Sequence, residues 1–196
     1  MNDSVFKRYW AAYGGFKALF ASNYFYAAIV ITALMFPAWV DKPWHDLVLA
    51  IMPNLLGFSL GGYALLIAIG DENFRSLISG VDEDEDGEHS PYMEVNSTFV
   101  HFILMQLISL VYALFSSAYY FTLDPNGKMG QLIANYNFPL DEVVLVGRFC
   151  GFTLFIYALL TALAATLAIF RVSSWYDEMH NKIQSTPTYK ADQDLD

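Results

Sequence analysis

Gly57, Phe58, Ser59, Leu60 and Gly61 spell GxSxG, the form of the hydrolase nucleophile elbow, in which a sharp strand-to-helix turn offers serine to a histidine base and an oxyanion hole. Asp82, Glu83, Asp84, Glu85, Asp86 and Gly87 open like a D-x-D-x-D-G calcium loop, where alternate oxygens ligate the ion and glycine permits the turn. Pro53, Asn54 and Ser59 bring a missing backbone donor and two polar side chains into one apolar stretch, as a pore lining or a hinge would. The elements that carry these residues decide which of these chemistries is available.

Those elements are membrane spans. Of 196 residues, 56% are hydrophobic, 17% aromatic and only 15% charged, an apolar excess and a charge deficit that point away from disorder, coiled coil and ordinary soluble domains. Four stretches, 18–40, 47–70, 99–123 and 149–170, reach the ~20 residues needed to cross the hydrocarbon core. A soluble bundle would need a polar face on each helix, and these stretches are apolar or small all round. The expected fold is all-α, an integral membrane four-helix bundle. Lys7, Arg8 and Lys17 precede the first span and no small-residue cleavage site follows it, so it reads as retained rather than as a signal peptide.

Seven Lys and Arg residues flank one side (Lys7, Arg8, Lys17, Arg75, Arg171, Lys182, Lys190) and three the other (Lys42, Lys128, Arg148). This bias predicts that both termini and the 71–96 loop are cytoplasmic, in a multi-pass membrane protein. Arg148, at the outer end of the fourth span, is expected to snorkel to the headgroups or meet Asp141 or Glu142. Val5, Phe6, Tyr9, Trp10, Tyr13 and Phe16 recur at helical spacing beside Lys7, Arg8 and Lys17, so residues 1–17 read as an interfacial helix on the inner leaflet. A plain extension of the first span is the competing reading, with Gly14 and Gly15 marking a break or a joint. The expected domains are thus 1–17, the 18–170 membrane body with its 71–96 loop, and a 171–196 tail, helical through Ile183 and then polar.

Depth argues against the hydrolase. At ~1.5 Å per residue Ser59 lies ~16 Å from the cytoplasmic end of its span, His101 only ~3–6 Å from the same face, and His45 falls in the outer loop. Proton transfer needs ~3 Å. The calcium match also stops early: Met93 stands at the twelfth position, Glu94 comes one residue late, and Pro91 is expected to interrupt the following helix. A solvated acidic loop explains the run as well. With no Asp, Glu, Lys or Arg deep in a span, proton relays and voltage sensors are disfavoured. No Cys/His cluster or phosphate loop occurs, and the single cysteine, Cys150, excludes an internal disulfide. No catalytic residue, metal or other cofactor is expected.

In lipid, small residues set where helices approach. Gly57, Gly61, Ala64 and Ala68 share one face of the second span; Ser109, Ala113 and Ser117 form a ridge on the third, and Ala158, Ala162 and Thr166 on the fourth. Such ridges suit a homo-oligomer. Gln106 reads as interhelical glue. Pro53, Asn54 and Ser59 read either as a kinked packing element or as a pore or hinge, the latter giving a small oligomeric ion channel as the alternative function.

The formal charge of −10 is concentrated in one place: residues 71–96 hold nine acids against the single base Arg75, leaving −8. A negative inner leaflet repels this loop, so Asp82, Glu83, Asp84, Glu85 and Asp86 are the candidate docking residues for a basic cytoplasmic protein, while nucleic acid is disfavoured. In size, four-span layout and acidic loop, with PNLLGFSLGGYALLIAIGDE from Pro53 to Glu72, the chain resembles the small membrane proteins of bacterial phage-defence operons, such as the membrane subunit of the Kiwa system. The resemblance covers the plan of the whole chain and carries over no functional residue. It implies an oligomeric inner-membrane scaffold or sensor that responds to envelope disturbance and holds or regulates a cytoplasmic effector.

Overall fold

A computed structural model describes residues 4–68, 90–119, 127 and 139–185, and among them all regular structure is α-helix. The helices are α1 (Val5–Tyr13), α2 (Gly15–Ala21), α3 (Asn23–Leu34), α4 (Phe36–Trp39), α5 (Trp44–Ala68), α6 (Pro91–Ala118) and α7 (Leu140–Ser185). Three stretches, Trp44–Ala68, Tyr92–Ala118 and Leu140–Asn181, are long and apolar enough to cross a membrane. The pair Val5–Ala21 and Asn23–Leu34, bent by 42° at its break, makes a fourth if it is one span. Length and hydropathy give the chain a multi-pass membrane architecture of three or four spans.

Local chemistry explains where the helices differ from the expected spans. Stretch 18–40 is interrupted at Ser22 and Met35. Pro37 has no N–H to bond the Ala33 carbonyl, so α3 stops at Leu34 and the proline is carried in the first turn of α4. Pro91 does not break a helix but opens one: it occupies the first position of α6, where the missing N–H costs nothing. Ser90 Oγ there accepts the Met93 N–H at 3.3 Å. Pro53 is tolerated inside α5, leaving the Leu49 carbonyl without its helical donor. Helix α7 runs 46 residues, or ~69 Å, more than twice the ~30 Å hydrocarbon thickness. The tail is therefore helical through Ser185.

Two compact units emerge: Met1–Gly15 with Gly61–His101 and Ala162–Asp196, and Phe16–Leu60 with Phe102–Thr161. The second holds the main apolar cluster, in which Trp39, Trp44, Val48 and Met52 pack with Ala113, Phe152, Phe155 and Tyr157. Two capping contacts secure its α3–α4 segment: Trp39 Nε1 donates to the Thr32 carbonyl at 2.8 Å, and the Arg148 guanidinium donates to the Val40 carbonyl. Gly151 of α7 lets Trp44 and Tyr112 approach its backbone; a Cβ there would lie 2.4 Å from the indole. In the first unit, Tyr63 of α5 stacks on Phe99 of α6 at 6.2 Å and donates its hydroxyl to Asn96 Oδ1 at 2.7 Å.

Candidate functional site

Ser59 lies in the middle of unbroken α5, where a 3.6-residue turn puts Met52, Ser59 and Leu66, seven residues apart, on one face. All three are buried. The Ser59 hydroxyl donates to the Leu55 carbonyl at 2.6 Å and accepts from Gln106 Nε2 of α6 at 3.0 Å. Gln106 is fully buried. The serine is thus a polar cross-link between two apolar helices, and the strand-to-helix turn of a nucleophile elbow is absent at GxSxG. Among the described residues no three His, Cys, Asp or Glu side chains gather as a metal site.

Pro53 and Asn54 turn the other way. Both are exposed, and at ~100° per residue Asn54 stands ~140° from Ser59 around α5. Asn54 Nδ2 makes one long bond, 3.4 Å, to the Ala50 carbonyl of its own helix. The three residues of the pore-or-hinge reading therefore do not share a face.

The four small residues of α5 share the exposed side with Pro53 and Asn54. Gly57, Gly61, Ala64 and Ala68 are all exposed, and a Cβ built on Gly57 or Gly61 meets nothing within 4 Å. Phe58 and Leu65 wall this strip on one side and Leu60 and Ile67 on the other, all exposed. The ridges of α6 and α7 differ: Ser109, Ala113 and Ala158 are buried in the second unit, Ala162 is half-buried, and Ser117 and Thr166 are exposed. Two ridges are spent, in part, inside the chain, whereas the α5 ridge is uncovered. The docking candidates Asp82, Glu83, Asp84, Glu85 and Asp86 lie outside the described residues, as do most of the 71–96 loop and the tail beyond 185.

One cluster has no counterpart in the sequence reading. The Tyr9 hydroxyl of α1 and His101 Nδ1 of α6 are hydrogen-bonded at 2.8 Å, the Tyr13 ring stacks on the imidazole at 3.8 Å, and Ser97 Oγ donates to the Ala12 carbonyl at 3.2 Å. The signal available in sequence was the aromatic stripe of α1; its histidine partner is 92 residues away. Gly14 (φ 91°) and Gly15 (φ 63°) end α1 in left-handed backbone, which glycine adopts at no steric cost. The helix is interrupted at this pair, with α1 ending at Tyr13 and α2 starting at Gly15. No family model, curated protein or solved structure matches the chain.

Proposed function

We propose that the protein is an oligomeric inner-membrane scaffold or sensor subunit, both termini cytoplasmic, that recruits or regulates a cytoplasmic effector, in the bacterial phage-defence setting its resemblance implies. The observation that carries this reading is how its polar groups are divided. Among the described residues Ser59 bonds Gln106 and His101 bonds Tyr9, whereas −8 of the formal −10 lies in residues 71–96. A body whose described residues gather no three His, Cys, Asp or Glu side chains, carrying one strongly negative segment, suits docking of a basic protein surface. Membrane lipids and further copies of the chain are the other partners of this reading. The uncovered α5 strip supports the oligomer, because glycine and alanine let helices approach closely in lipid. The ion-channel alternative has no such support, since Ser59 is tied to Gln106 and Pro53 and Asn54 sit apart from it.

The test neutralises the segment by replacing Asp82, Asp84 and Asp86 with Asn and Glu83 and Glu85 with Gln in the full chain. Each form is then expressed in its host and the cytoplasmic proteins that co-purify with it are compared. Loss of co-purification with the neutral form is expected; equal recovery refutes docking through these residues.

A further inference from the structure

Helix α1 has an apolar stripe longer than the surface it covers. At ~100° per residue Val5, Phe6, Tyr9, Trp10 and Tyr13 fall within ~140°, with Lys7, Arg8 and Ala11 opposite. Tyr9, Ala12 and Tyr13 are held on α6 by His101 and Ser97. The end of the stripe beyond this clasp is open, with Val5 81% and Phe6 62% exposed. Lys7 and Arg8 beside it are exposed as well, and α1 contains no acid.

The height of the clasp on α6 says what meets that open end. Crossing ~30 Å of hydrocarbon takes ~20 residues, and counting back that far from Ala118, the end of α6, reaches Phe99. Ser97 then lies ~3 Å outside the hydrocarbon boundary and His101 ~3 Å inside it, at ~1.5 Å per residue. A helix clasped there sits where headgroups meet acyl chains. Its two cations complement an anionic leaflet, and its open apolar residues suit insertion beneath the headgroups.

We infer that α1 is a lipid-reading arm: Val5 and Phe6 insert into an anionic leaflet, Lys7 and Arg8 hold its phosphates, and the Tyr9–His101 clasp ties that contact to a membrane-spanning helix. The inference rests on the sensor reading above and names the surface it senses, anionic lipid.

The experiment uses the full chain with Cys150→Ser and Val5→Cys, labelled at residue 5 with an environment-sensitive fluorophore. The labelled protein is placed in nanodiscs of phosphatidylcholine alone or mixed with phosphatidylglycerol. Quenching by brominated lipid is expected to be strong with phosphatidylglycerol. It should weaken without it, and each of Lys7→Gln and Arg8→Gln should lower the inserted-to-free ratio about fivefold. Both side chains are exposed, so the variants keep their helicity, which circular dichroism checks. A probe equally open to water in both lipids overturns the inference. So does one shielded only as copies per disc increase, which would mean that a second copy covers the arm. No effector is present, so failure here leaves recruitment standing, and failure of the co-purification leaves the lipid contact standing.

Discussion

Replacing Gly151 with alanine should destabilise the protein, while the same change one helical turn away, at Gly147, should not. Both glycines lie on α7, so the backbone term is common to the two; Gly→Ala in a helix interior gains at most about 1 kcal/mol. The surroundings differ. At Gly151 a Cβ would sit 2.4 Å and 2.6 Å from Trp44 Cη2 and Cζ2 and 2.6 Å from Tyr112 Cε1, whereas at Gly147 it meets only the Tyr112 hydroxyl at 3.5 Å, an ordinary contact. Neither ring yields easily. Trp44 is buried in the cluster of Val48, Met52 and Phe152, and Tyr112 is held by its hydroxyl bond to the Gly147 carbonyl at 3.0 Å. Forcing a methyl into such a contact costs roughly 1–3 kcal/mol, so the two variants should differ by about that amount. Denaturant titration in mixed micelles, followed by circular dichroism, measures each against the parent. If Gly151→Ala and Gly147→Ala agree within about 0.5 kcal/mol, well under that overpacking cost, the close approach of Trp44 to α7 is refuted.

Ser59→Ala should cost more than Gln106→Leu, because it strands the Gln106 amide where no water reaches, worth about 1–3 kcal/mol, while leucine leaves Ser59 its bond to the Leu55 carbonyl. The double variant should regain part of the Ser59→Ala loss in the same titration; simple additivity would argue against the cross-link. A Cβ at Gly57 or Gly61 meets nothing within 4 Å in the chain, so Gly57→Ile and Gly61→Ile should leave the helicity unchanged while abolishing self-association in bilayers, measured by single-molecule subunit counting. Unchanged association would remove the α5 strip from the proposed oligomer.

Much of the architecture was legible in the sequence because hydropathy is additive and local. The spans at 47–70, 99–123 and 149–170 correspond to α5, α6 and α7. Gln106 was legible too, since a buried amide between apolar helices must find a partner. The breaks within stretch 18–40, at Ser22 and Met35, were not legible: Pro37 could be seen in it, but whether a proline kinks, breaks or opens a helix depends on its place in the helix, as Pro37, Pro53 and Pro91 each show. The pairing of Tyr9 with His101 was also out of reach, because it joins residues 92 apart and no periodicity carries information over that distance.

By itself, the sequence determined that the chain is helical, that its apolar stretches are long enough for a membrane, and that the charge is segregated into residues 71–96. Tertiary structure alone decided which face of each helix is used. It turned Ser59 inward and Asn54 outward, buried the small residues at Ser109, Ala113 and Ala158, left those of α5 uncovered, and clasped α1 to α6. The physical reason is that lipid is as apolar as leucine: a span apolar all round gains nothing from hydrophobicity by turning one way or another. The choice falls to hydrogen bonds and steric fit between side chains distant in sequence, as at Ser59 with Gln106 and Gly151 with Trp44.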